Sequence, residues 1–182
     1  MSLSRALAAF VMLAAGPAAA VTYVEATDAP GGSFSSLWSA PTAVTPGVTR
    51  IEGTGAQHDH DILAFSGLAA GAQSFAFTFS APGPVGDSYA AGGNALFSSD
   101  PFRWGWDGAT AFTFQLDRND TTRDAVLTLG EDFAGGDLFL ALYFTHGALN
   151  WSLDAPGDAH AGSGATPAAV PLPPAAALMA GG

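Results

Sequence analysis

Two short stretches carry the residue types best suited to chemistry, and the first is His58, Asp59, His60 and Asp61. In extended chain the two histidines point to one side and the two aspartates to the other. Because imidazoles two residues apart on a strand can reach one ion, the pattern indicates a metal site. The alternative is a polar strand start whose aspartates bond nearby backbone amides. No third histidine, glutamate or cysteine ligand can be assigned from the sequence.

The second stretch contains Phe102, Trp104 and Trp106. If this segment is extended, the three rings stand on one side and form an aromatic ladder. An exposed ladder would stack on the apolar faces of sugar rings, which makes it a candidate carbohydrate-binding site. A buried ladder would only be part of the core, where large apolar side chains usually lie.

The sequence contains no recognisable catalytic constellation. There is no G-x-S-x-G motif for a serine hydrolase, and no cysteine for a nucleophile, a disulfide or a thiolate zinc site. A glycosidase needs two facing carboxylates, but 16 acidic residues offer too many pairs to choose among. We therefore expect a protein that is not an enzyme, with a secreted hydrolase as a remote alternative.

The charge balance is strongly acidic, with a net charge of −11 from 16 acids against five Arg and no Lys. Such a surface repels phosphate backbones, so we expect no nucleic-acid partner. No cofactor is predicted, although turns rich in aspartate leave calcium open. An EF-hand loop starting at Asp117 fails, because Thr122 stands where that loop needs glycine.

The strongest structural signal lies in residues 59–80, which predict two strands joined by a glycine-bearing turn as a hairpin. In the second strand Phe75, Phe77 and Phe79 alternate with small polar residues and commit three rings to one core. We expect residues 34–38 to form a short edge strand and residues 81–101 to form a long surface loop. Further strands are predicted at residues 21–26, 48–52, 111–117, 125–129, 138–145 and 149–153.

No helical period of useful length occurs between residues 21 and 154. About eight or nine short strands with Gly, Pro and Asp between them predict an all-β, antiparallel β-sandwich, either jelly-roll-like or Ig-like. We assign this domain to residues 21–155.

The two ends of the chain predict export. Residues 1–20 have a short basic start, an apolar run and a small-residue A-x-A site before Val21, as in a secretory signal peptide. Residues 156–182 begin as a flexible linker rich in small residues and contain the motif Val170, Pro171, Leu172 and Pro173.

This motif resembles the VPLPA-CTERM class of bacterial PEP-CTERM-like sorting signals, although Pro174 stands where that class usually has alanine. The resemblance implies processing by a membrane-embedded, exosortase-type enzyme at the cell surface. In that class a transmembrane helix and a basic cluster follow the motif; neither is found before Gly182, where the sequence ends.

A second, looser resemblance is to bacterial pre-peptidase C-terminal domains. Residues 59–79 and 137–154 resemble the opening and closing strands of those domains. The resemblance implies a small secreted β-sandwich that accompanies enzymes and assists binding to polymers. It transfers no binding residue to this chain.

Together these observations predict an exported, non-enzymatic protein of the cell surface or extracellular matrix, with a structural or adhesive β-sandwich and a C-terminal sorting signal. The alternative is a carbohydrate-binding module that uses the aromatic ladder. The expected partners are an exosortase-type enzyme and extracellular polysaccharide.

Overall fold

The computed structural model describes residues 21–45, 47–104 and 107–156. The predicted signal peptide, the sorting motif and most of the predicted linker lie outside these ranges. The elements are β1 (Val21–Val24), α1 (Glu25–Asp28), a 3-10 turn (Pro30–Gly32), β2 (Thr42–Ala43), β3 (Val48–Ala56), β4 (His60–Leu68), β5 (Gln73–Ser80), β6 (Ala90–Ser98), β7 (Ala109–Asp117), β8 (Thr122–Leu129), β9 (Gly136–His146) and β10 (Ala148–Asp154).

These strands form two sheets of five strands each. Sheet A has the order β1-β3-β10-β5-β8, and sheet B has the order β2-β4-β9-β6-β7. The two short edge strands, β1 and β2, run parallel to their neighbours, whereas the other strand pairs are antiparallel. The predicted β-sandwich is confirmed, with ten strands in the described chain.

The core lies between the sheets, and β5 supplies its centre as the alternation predicts. Phe75, Phe77 and Phe79 are at most 1% exposed. The neighbouring strand β10 adds Leu149 and Trp151, also buried on the core side. Each such side chain contributes roughly 1.5 to 3 kcal/mol when it leaves water, so this pair of strands accounts for much of the burial that holds the sheets together.

The predicted hairpin of residues 59–80 is wrong. Strand β4 pairs with β9 in sheet B, whereas β5 pairs with β10 and β8 in sheet A. The turn between them therefore crosses from one sheet to the other, with Gly71 at φ 96°. Phe65 and Phe75 meet edge to face across the core, their centroids 5.4 Å apart. The apolar face of β4 therefore packs against the apolar face of β5 from the opposite sheet.

The predicted surface loop of residues 81–101 is also wrong in its second half. Strand β6 runs through it and pairs with both β7 and β9. Its Gly92 and Gly93 are required by close packing, because a Cβ on Gly93 would collide with the carbonyl oxygen of Tyr143. A glycine pair in a strand usually weakens it, but here it lets neighbouring backbones approach.

Residues 34–38 do not form the predicted edge strand, since only a single bridge joins Ser35 to Ile62. The first predicted strand is shorter than expected, because the chain turns into the one-turn helix α1 at Glu25. Within the described residues no helix is both long enough and apolar enough to span a bilayer.

Candidate functional site

The outer face of sheet B carries a second apolar cluster, separate from the core. Strand β9 lies in the middle of this sheet and is buried on both sides, as its two apolar faces predict. Its outward Phe139 and Tyr143 are covered by two loops that bring in Trp38 and Phe102. We call Trp38, His60, Phe102, Phe139 and Tyr143 the aromatic face.

The rings of the aromatic face pack closely. The His60 and Tyr143 centroids are 4.4 Å apart, and Trp38 lies 5.9 Å from Tyr143 and 6.5 Å from Phe102. Burial lowers the pKa of His60, a change that nearby Asp59 opposes. Burial also raises the pKa of Tyr143, and the charge of Asp107 adds to this. Both rings are therefore neutral near pH 7, which suits packing better than proton transfer.

The structure does not form the predicted ladder from Phe102 and Trp104. Residues 101–104 are not in a strand, so the alternation that would align these rings does not apply. Phe102 is 5% exposed and packs under the loop, whereas Trp104 is 59% exposed. Trp106 lies outside the described residues. Of the three predicted rings, Trp104 is the one shown on the surface.

A charged contact shapes the loop that presents Trp104. The Asp107 carboxylate accepts hydrogen bonds from the backbone N–H of Arg103 at 2.8 Å and from its Nε at 3.3 Å. The backbone N–H of Arg103 is the main reason that the pKa of Asp107 is lowered. The carboxylate thus stays charged and holds the base of the loop.

The four predicted metal ligands point into different surroundings. The chain is not extended at His58, which lies in a turn with φ 69°. Asp59 accepts a hydrogen bond from the backbone N–H of His60, as the alternative interpretation expected. The His60 ring belongs to the aromatic face, and Asp61 enters the core. Across residues 21–45, 47–104 and 107–156, no group of three or more His, Cys, Asp or Glu side chains is placed to hold a metal.

Asp61 is fully buried at 0% exposure and links the two sheets. Its Oδ2 accepts a hydrogen bond of 2.9 Å from Nε1 of Trp151, and its Oδ1 has no partner in the described chain. Burial raises the pKa of Asp61 to about 8, with smaller contributions from Glu25 and Asp59, against the lowering effect of Trp151. The carboxyl group is therefore mostly protonated at pH 7 and cannot reach a ligand.

Sequence reasoning missed Glu25, which is 5% exposed. Its carboxylate accepts from the backbone N–H groups of Phe34 and Thr54, at 3.1 and 2.8 Å, and from the hydroxyl of Thr54 at 3.1 Å. Strand β1 ends its pairing with β3 at Val24, opposite Glu52. Beyond that point the Glu25 carboxylate accepts the hydrogen bond from the backbone N–H of Thr54. No local pattern marks this role, because both partners are distant in sequence.

Comparison with known proteins gives no family assignment. No known family matches the sequence, and no curated protein matches it.

Among solved structures, the chain is similar to the pre-peptidase C-terminal domain of collagenase from Bacillus anthracis (14% identity, covering 63% of this chain and 93% of that one, TM-score 0.37). It is also similar to PliG of Aeromonas hydrophila, a periplasmic inhibitor of g-type lysozyme (11% identity, 76% and 100% coverage, TM-score 0.34). A third similar structure is a CBM4 (14% identity, 58% and 80% coverage, TM-score 0.32). At these scores the likenesses carry no argument about what this chain binds.

Proposed function

We propose that this chain is an exported, non-enzymatic protein of the cell surface or extracellular matrix, whose β-sandwich is a structural or adhesive domain. Export rests on the signal-peptide pattern of residues 1–20. Sorting by an exosortase-type enzyme rests on the motif from Val170 to Pro173. Both remain predictions from the sequence.

The observation that carries the proposal is the placement of the groups best suited to chemistry. Asp61, with its raised pKa, is enclosed in the core, and the His60 ring is packed against Tyr143. Two large apolar side chains are exposed on the covering loops, Leu37 at 61% and Trp104 at 59%. A rigid sandwich with apolar side chains on its loops suits contact with another molecule better than it suits catalysis.

Co-sedimentation with isolated extracellular matrix tests this proposal. Purified residues 21–182 should pellet with matrix polysaccharide of the producing bacterium in a saturable way. They should release no reducing ends from it during long incubation. A chain that remains in the supernatant, or that cleaves the polysaccharide, contradicts the adhesive, non-enzymatic function.

A second candidate function, carbohydrate binding, is favoured by the exposure of Trp104. An indole ring in this position can stack on a sugar ring, although Phe102 cannot join it. On a glycan array, Trp104→Ala should abolish binding to any sugar recognised at this loop. The matched control is Val126→Ala, because Val126 is 56% exposed on a strand of sheet A. Equal binding by both variants would exclude Trp104 as the sugar contact.

A further inference from the structure

The outer face of sheet A differs from that of sheet B, because its middle strands are uncovered and polar. A groove of about 410 Å³ crosses it, with β3, β10 and β5 as its floor and residues 24–26 as one wall. This size is within the usual range for small-molecule sites.

Strand register places the polar side chains of the floor in two rows. One row is Thr54, Asn150 and Ser80, and the next is Glu52, Ser152 and Thr78. Directly opposed side chains in antiparallel pairs have Cβ atoms about 4.5 to 5.5 Å apart. The rows are therefore regular and rigid, because they are built on strands of the sandwich.

The floor offers both hydrogen-bond donors and acceptors. The hydroxyl of Thr54 donates to Glu25, and that of Thr78 donates to Asp124, so each keeps oxygen lone pairs for a ligand. Within the described ranges, the side chains of Asn150, Ser80 and Ser152 make no hydrogen bond. The Asn150 amide can both donate and accept.

The charges of the groove disfavour an anion. Its one basic side chain among the lining residues, Arg50, is held by Glu52 at 2.8 Å and by Asp154 at 2.7 Å. The acids outnumber the base, and no cation is left to hold a phosphate or a carboxylate. The Trp151 ring reaches the lining from the core side and is 2% exposed, so it offers no open stacking surface. Glu25 and Glu52 are also bonded within the protein, so the groups left for a ligand are hydroxyls and an amide, which suit an uncharged molecule rich in hydroxyl groups.

We propose that this groove is a binding site for a neutral saccharide chain, which lies across β3, β10 and β5 and bonds to the two rows. The site is on the opposite sheet from the aromatic face. It uses neither Trp104 nor the sorting signal. The inference rests on the proposed adhesive function and names a site and a ligand class for it.

The test is an NMR titration of ¹⁵N-labelled residues 21–182 with neutral oligosaccharides of β-1,4-glucose, α-1,4-glucose and β-1,3-glucose, and with acidic alginate oligomers as a contrast. We expect at least one neutral series to shift the backbone amides of Asn150, Ser152 and Ser80. Alginate should leave these signals in place, because the groove excludes anions.

Asn150→Ala should weaken the binding of that oligosaccharide about two- to tenfold, as expected for one or two lost hydrogen bonds. Asn119→Ala is the matched control, since Asn119 lies in the turn before β8, outside the groove. Asn119→Ala should leave the affinity for that oligosaccharide unchanged. The inference is overturned if no neutral series binds, if alginate shifts the same signals, or if Asn150→Ala weakens binding no more than Asn119→Ala does.

Discussion

Replacing Asp61 with asparagine should change how the stability of the sandwich depends on pH. The carboxyl group is fully buried, and its pKa is raised from 3.8 to about 8. Because the folded protein holds its proton more tightly than the unfolded chain, the unfolded state ionises first as pH rises. The wild-type protein should therefore lose stability from about pH 4 to about pH 8, and this loss should stop above that window.

The size of the effect follows from the shift. Each pKa unit corresponds to about 1.4 kcal/mol, so the cost at Asp61 rises by roughly 3 to 4 kcal/mol between pH 5 and pH 8. Asparagine cannot ionise and can still accept from Nε1 of Trp151. Its amide N–H groups would be buried at the position of Oδ1, which has no hydrogen-bond partner in the described chain. Burying them unpaired costs about 1 to 3 kcal/mol at any pH. Relative to the wild type, the variant should gain about 3 to 4 kcal/mol of stability between pH 5 and pH 8, and it should be the more stable protein at pH 8.

Urea unfolding followed by tryptophan fluorescence measures this directly, since Trp151 is buried beside the substituted group. Working from pH 5 upward keeps the protein above its isoelectric point of about 4.2. Asp100→Asn is the matched control, because Asp100 is exposed, and it should leave the free energy of unfolding within about 0.5 kcal/mol of wild type. If the stability difference for Asp61→Asn is the same at pH 5 and pH 8, the reasoning about this carboxyl group is refuted.

Further substitutions at three sites, two of them with matched controls, have definite expectations. Glu25→Ala removes the acceptor for three donors and should lower the free energy of unfolding by about 2 to 4 kcal/mol in urea melts; a loss below 0.5 kcal/mol would contradict the role of this carboxylate. Gly93→Ala should cost at least about 3 kcal/mol or prevent folding, whereas Gly86→Ala, which meets no atom within 4 Å, should be nearly neutral by thermal melting; equal effects would argue against the close approach at β6. Trp104→Ala should change stability by less than about 0.5 kcal/mol, but Trp151→Ala should cost about 3 to 5 kcal/mol; the reverse order would misplace both rings.

Faces of strands could be predicted from the sequence wherever one side of a strand meets the core and the other meets water. The phenylalanines of β5 and the Leu149, Trp151 and Leu153 series of β10 are buried as their alternation predicts. The central position of β9 also followed from its apolar residues on both faces. In each case the signal lies in consecutive residues, and it follows directly from the period of a strand.

Pairing between strands could not be predicted in the same way. The alternation of β4 and β5 is the same whether they form a hairpin or face each other across the core, because either arrangement buries one side of each strand. The local composition predicts a loop at the glycines of β6, but these glycines allow the close approach of Tyr143 and Phe114, which are distant in sequence.

The candidate sites were the least predictable part of the molecule. An aromatic ladder needs an extended chain at Phe102 and Trp104, and a bend there separates the two rings. The sequence predicts Asp61 as a metal ligand beside two histidines, yet its hydrogen-bond partner is Trp151, 90 residues away. The polar groove on sheet A depends on the order of three strands, and that order is not written in any local pattern.

We propose that this sandwich is exported, is not an enzyme and holds extracellular polysaccharide through its surface. Fractionation of the producing bacterium, with antibody against residues 21–156, tests it most directly. The account predicts protein on the outside of intact cells or in the matrix, released when the matrix polysaccharide is digested. Protein retained in the cytoplasm, or free in the medium with no dependence on polysaccharide, would contradict the account.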